Sequence, residues 1–94
     1  MIVRTEKYTR PIADIDFYRP NETQKIYAQN YRNTHGIIDI IEFPSTFELV
    51  TTLSFPDQDT YDAFYSDEEL NKQRADRDNY NSINGISKTI VNNV

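Results

Sequence analysis

The chain has no cysteine, which excludes disulfides, thiolate chemistry and Cys-based zinc sites. It has no tryptophan, and His35 is its single histidine. No second histidine stands at metal-ligand spacing and no carboxylate pattern accompanies it, so no metal is expected. No apolar run approaches the ~20 residues needed to span a bilayer, and no membrane partner is expected. The opening Met1 to Lys7 breaks into charge at once and cannot serve as the apolar region of a signal peptide. Together these absences lead us to expect a cytoplasmic protein. No cofactor signature is present either.

Hydrophobic residues are also sparse, at 37%, below the usual share for a soluble domain. The 94 residues suffice for one domain, residues 1–94, with one modest core. Much of the burial must come from isoleucine and from the seven tyrosines and five phenylalanines. A chain this lean in apolar residues often gains stability by oligomerising.

The net charge is −5, and it is unevenly placed. Residues 57–78 hold Asp57, Asp59, Asp62, Asp67, Glu68, Glu69, Asp76 and Asp78 against Lys72, Arg74 and Arg77, and so carry the whole of it. Such a face repels phosphate, which argues against nucleic acid as a partner. A solvated helix face explains it more simply than an acidic docking site does.

Glycine and proline punctuate the chain. Gly36 and Gly85, the only glycines, each follow a helical stretch and precede an Ile-rich one, where a left-handed C-cap is expected. Residues 2–9 read as a first strand. Residues 10–20, broken by Arg10-Pro11, read either as its continuation after a bulge or as an ordered loop. Asn21 is expected to cap a first helix with Ile26, Tyr27, Asn30 and Tyr31 on its inner face. Residues 37–43 form a second strand, apolar on both faces (Ile38 and Ile40; Ile37 and Ile41), with Pro44-Ser45 as a tight connection. Residues 46–55 alternate cleanly, setting Phe47, Leu49, Thr51, Leu53 and Phe55 on one face. Asp57 caps the next helix. Ser66-Asp67-Glu68-Glu69 matches a capping box, so this helix should break near Ser66 and restart. Leu70, Tyr80 and Ile83 are its expected anchors, with residues 71–79 on the surface. Residues 86–91 make a last strand, and the tail at residues 92–94 is expected to fray.

Strand, helix, strand, strand, helix, strand is the split βαβ order. It predicts an α+β domain of ferredoxin-like βαββαβ type: a four-stranded antiparallel sheet with helices on one face. The run Leu53-Ser54-Phe55-Pro56-Asp57 into Tyr61-Asp62-Ala63-Phe64, then Ser66 to Leu70, Tyr80 and Asn84-Gly85-Ile86, resembles the second half of dimeric α/β-barrel proteins, over about residues 36–91. That resemblance implies a homodimer packed sheet against sheet through the open face. The superfamily includes cofactor-independent monooxygenases and isomerase-like enzymes. Their aromatic–His–Asn combinations have no counterpart here, so the resemblance implies no catalytic residue.

Several residues are candidates for a site. Tyr8, Arg10, Tyr18 and Arg19 form an Arg/Tyr cluster of the kind favoured in recognition surfaces, or else ordinary strand-end packing. His35, before Gly36, suits a helix C-terminus. Asp14 and Asp16, two apart, could share a proton or a hard cation, but read first as a solvated loop. Asp57, Asp59 and Asp62 lack the glycine and terminal glutamate of a calcium loop. An RNA-recognition sheet shares the element order but needs exposed aromatics and basic flanks. The leading expectation is a non-enzymatic protein that self-associates or binds a protein partner. The alternatives are a small-ligand binder or enzyme with Tyr8, His35, Glu48 and Thr52 around a cavity between sheet and helices, and an accessory subunit of a larger assembly, such as a viral particle.

Overall fold

The computed structural model describes Met1–Val94. The elements are β1 (Ile2–Thr9), α1 (Glu22–Thr34), β2 (Ile38–Ser45), β3 (Glu48–Phe55), α2 (Gln58–Ser66), α3 (Glu68–Asn84) and β4 (Ser87–Asn93). The strands lie in the order β2-β3-β1-β4, and every neighbouring pair is antiparallel. This is the ferredoxin-like arrangement, with its central strands β1 and β3 contributed by distant parts of the chain.

Strand alternation sorts the side chains. Arg4, Glu6 and Tyr8 of β1 face the helices, opposite Leu53, Thr51 and Leu49 of β3 in the register Arg4↔Leu53, Glu6↔Thr51 and Tyr8↔Leu49. Val3, Thr5, Lys7 and Thr9 face the open side, with Glu48, Val50, Thr52 and Ser54. The apolar core is small: Ile37, Phe55, Phe64 and Leu70 are buried together, with Ile2, Ala28, Tyr31, Leu53, Tyr61 and Tyr65 packed around them. Phe55, wholly buried, takes edge contacts from Tyr61 and Phe64 at 5.0 and 5.3 Å between ring centroids.

Local chemistry sets the helix ends. Asn21 Oδ1 accepts from Gln24 N while Gln24 Oε1 accepts from Asn21 N, a reciprocal capping box. Asp57 caps α2 through Thr60 N. The break after Ser66 is present, but Asp67, not Ser66, is the new N-cap, accepting from Leu70 N at 3.0 Å. Ser66 ends α2 and donates back to the Asp62 carbonyl; a carboxylate suits the positive end of a helix better than a hydroxyl.

Four expectations are corrected. On α1 the side chains turned inward are Gln24, Ala28, Tyr31 and Arg32, while Ile26 and Tyr27 are exposed; polar ties to Asp76, Gln73 and Asp39 set that rotation. On α3, Ile83 points to solvent while Gln73 and Asn81 are buried, Gln73 donating to the Gln24 carbonyl of α1. Pro44 lies inside β2, where an edge strand tolerates its missing N–H. The tail does not fray: Val94 N and O both bond Val3. Residues 10–20 are a loop strapped across one end, without strand structure.

Gly85 ends α3 at φ 70°. Gly85→Ala should therefore destabilise the fold by about 1 kcal/mol, the cost of a Cβ in the left-handed region, read as a lower urea midpoint with unchanged slope. Phe55→Ala should cost about 4 kcal/mol, measured the same way.

Candidate functional site

The middle of the sheet–helix interface is polar. Glu6, at the centre of β1, is buried. Its carboxylate accepts from Arg4 Nε at 2.8 Å and from the Tyr8 hydroxyl at 2.8 Å, and Arg77 Nη1 of α3 stands 3.8 Å away. Burial by itself would raise its pKa; the hydrogen bonds from Tyr8 and Arg4 and the Arg77 charge outweigh that and hold the carboxyl below its ordinary value. Tyr8 moves the other way, as burial and its bond to Glu6 keep the phenol protonated.

The cationic side chains around Glu6, those of Arg4, Arg74 and Arg77, are all engaged. Arg4 also donates to the Tyr61 hydroxyl and stacks 5.1 Å from the Tyr65 ring. Arg74 donates to the Phe64 carbonyl and covers the Tyr65 ring at 4.8 Å. Burial pushes the Tyr65 phenol up to about 12. Arg77 lies over Tyr8 and pairs with Asp78. No buried side-chain polar atom is left without a partner. The arrangement therefore ties β1 to α2 and α3 with charge-assisted bonds, and it leaves no guanidinium free for an anion.

The residue loop 10–20 closes one end of this interface. Arg10 holds it by donating to the Thr46 and Ile15 carbonyls and by stacking 4.7 Å from the Phe17 ring. Tyr80 donates to the Asp16 carbonyl at 2.6 Å, and its ring meets Tyr18 at 5.6 Å. Beneath the loop, Tyr8, Phe17, Tyr18, Leu49, Arg77 and Asn81 enclose about 30 Å³, room for a water or two.

Tyr8, Arg10 and Tyr18 thus come together as the fastening of this loop, while Arg19 is exposed beside them. Glu48, Thr52, Tyr8 and His35 do not share a cavity. Glu48 and Thr52 are on the open sheet face, where they bond Lys7 with Ser45, and Thr5, respectively. His35 stacks on Tyr31 at the C-terminus of α1 and bonds its carbonyl; with Tyr27, Asn30 and Thr34 it lines a surface groove. Asp14 and Asp16 are exposed, and no group of His, Asp and Glu side chains is set to hold a metal. No helix is long and apolar enough to cross a membrane.

The open sheet face is the other candidate. Its only charges are Lys7, Glu42 and Glu48, among Val3, Thr5, Thr9, Ile38, Ile40, Val50, Thr52, Ser54 and the Ser87, Thr89 and Asn92 of β4. The chain's acidic surplus lies on α2 and α3, across the sheet. All of β2 is exposed, including Ile38 (63%), Ile40 (51%), Ile41 (57%) and Phe43 (67%). The apolar residues on both faces of residues 37–43 signal this surface, whereas the Glu6 cluster left no sequence signal beyond an acid in the first strand.

Compared with protein-family models, with curated proteins and with solved structures, the chain has no significant match.

Because the Glu6 pKa is depressed in the folded state, its stabilisation is full above the unfolded glutamate pKa and is lost as pH falls through the folded value. Thermal midpoints followed by circular dichroism should drop on that acidic limb. Glu6→Gln should flatten the limb and cost about 3 kcal/mol at neutral pH, since Arg4 and Arg77 lose their counter-charge.

Proposed function

We propose that the protein acts by associating with itself, as a non-enzymatic homodimer packed through the open face of its sheet. The observation that carries this is the contrast between the two sides of the sheet. The helix side bears the acidic surplus; the open side is short of charge and presents Ile38, Ile40, Val3 and Val50. Depletion of charge over an apolar centre is the composition of an interface core, and an unlike partner is not required to neutralise it. The dimeric α/β-barrel resemblance of residues 36–91 is in keeping with this mode of packing.

A reading based on small-ligand chemistry has less support. The loop-covered hollow holds about 30 Å³ and the surface groove beside His35 about 210 Å³, both below the roughly 300 Å³ at which ligand pockets begin, and the polar groups around the hollow are committed to one another. Nucleic acid is disfavoured by the charge of −5.

Sedimentation equilibrium at micromolar concentration should return at least twice the 11.1 kDa chain mass. Val50→Lys, at the centre of the open face, should weaken the association at least tenfold, since a lysine there must be desolvated on packing. A monomeric native chain would sink the proposal; so would an assembly whose mass and dissociation constant are unmoved by Val50→Lys.

A further inference from the structure

Face packing accounts for Ile38 and Ile40 but not for Ile41 and Phe43. These two lie on the helix side of β2: Ile41 is level with Thr51 and Glu6, and Phe43 meets Phe17 of the loop. Both are nevertheless more than half exposed. A strand apolar on both sides and buried on neither lacks a neighbour along its outer edge rather than a layer above it.

We propose that β2 pairs antiparallel with β2 of a second copy about a twofold axis through Ile40, joining two four-stranded sheets into one of eight strands. This rests on the reading that the protein self-associates, but it uses a different surface. Charge selects the register. A twofold axis perpendicular to the sheet keeps both helix layers on one side and pairs residues of equal parity. An axis at Asp39 or Glu42 sets identical carboxylates opposite each other, which is destabilising. An axis at Ile41 carries the pairing into the irregularity between Glu42 and Ser45. An axis at Ile40 uses only the regular stretch 38–42, pairing Ile38 with Glu42, Asp39 with Ile41 and Ile40 with itself. Each carboxylate then lies opposite an isoleucine of the second copy. The other edge is less suited, because β4 shifts register between its pairings with Thr5 and Glu6 and carries Lys88, both of which protect an edge.

The native chain has no cysteine, so single-cysteine variants report directly. Opposed residues of an antiparallel pair have Cα atoms ~4.5–5.5 Å apart, within disulfide reach. Ile40→Cys under mild oxidation should convert most of the chain to a covalent dimer, and should do so equally when Val50→Lys is present. Ser87→Cys, on the β4 edge, should stay uncrosslinked. Ile41→Glu, which sets a second acid opposite Asp39 on the side away from the open face, should lower crosslinking at position 40 at least tenfold. Circular dichroism confirms folding of each variant, all of which alter exposed or half-exposed positions. A native multimer that dissociates with Val50→Lys, but in which Ile40→Cys does not crosslink, would overturn edge pairing and leave face packing standing. A monomeric native chain would overturn both. A mass that grows without limit with concentration even when Val50→Lys is present would mean head-to-tail pairing of β2 with β4, and would overturn the twofold arrangement.

Discussion

A carboxylate in the central strand organises this domain. Glu6 sits where a ferredoxin-like sheet normally presents an apolar side chain to its helices, and the elements around it are shaped by the need to satisfy it. Arg4 and Tyr8 reach it from the same strand and Arg77 from α3. An unpaired buried carboxylate would cost several kcal/mol, so α3 has to bring a cation to this point and must turn a polar face inward to do so. Arg77 turns inward for that reason, while Leu70 packs in the apolar cluster, Gln73 is buried where it donates to the Gln24 carbonyl of α1, and Ile83 is left outside.

The consequence is a divided interior. At one end Ile37, Phe55, Phe64 and Leu70 form a conventional apolar cluster. In the middle, hydrogen bonds and cation–aromatic contacts replace hydrophobic packing, with Arg4 and Arg74 on Tyr65 and Arg77 on Tyr8. At the far end the loop of residues 10–20 is held by Arg10, Tyr80 and Tyr18. Tyrosine and arginine therefore serve here as internal fasteners, so the Arg/Tyr cluster that looks like a recognition surface in the sequence is largely spent on holding the chain to itself. What remains available is the apolar surface that the interior does not use, and it is concentrated on β2 and the open face. Both proposed associations address that surplus, from above and from the side.

Much of the fold was legible from local chemistry. Asn21, Asp57 and the two glycines mark helix ends because capping and left-handed backbone geometry are decided within a few residues. The alternation of residues 46–55 gives the strand and its faces because the side-chain period of two is a property of the strand alone, although Thr46 and Phe47 form the turn before it. The break between α2 and α3 was visible in the Ser66–Glu69 pattern, although Asp67 rather than Ser66 is the cap, with the Ser66 hydroxyl donating to the Asp62 carbonyl. The candidate site was much less legible. Tyr8, Arg10 and Tyr18 converge, but Glu48 and Thr52 face away from them and His35 lies at the end of α1, because register and strand order, not proximity in sequence, decide which side chains meet.

By itself, then, the amino-acid sequence determined the order of elements, their ends, the two-sided apolar character of residues 37–41 and the acidic surplus of residues 57–78. Each of these follows from interactions spanning a turn or a strand. Only the tertiary structure decided that Glu6 is buried, that α3 faces inward with its polar side, that the tail pairs with Val3, and that β2 is an edge. Those outcomes depend on contacts between residues far apart in the chain, such as Glu6 with Arg77, and a buried charge takes whichever distant partner the topology brings within reach.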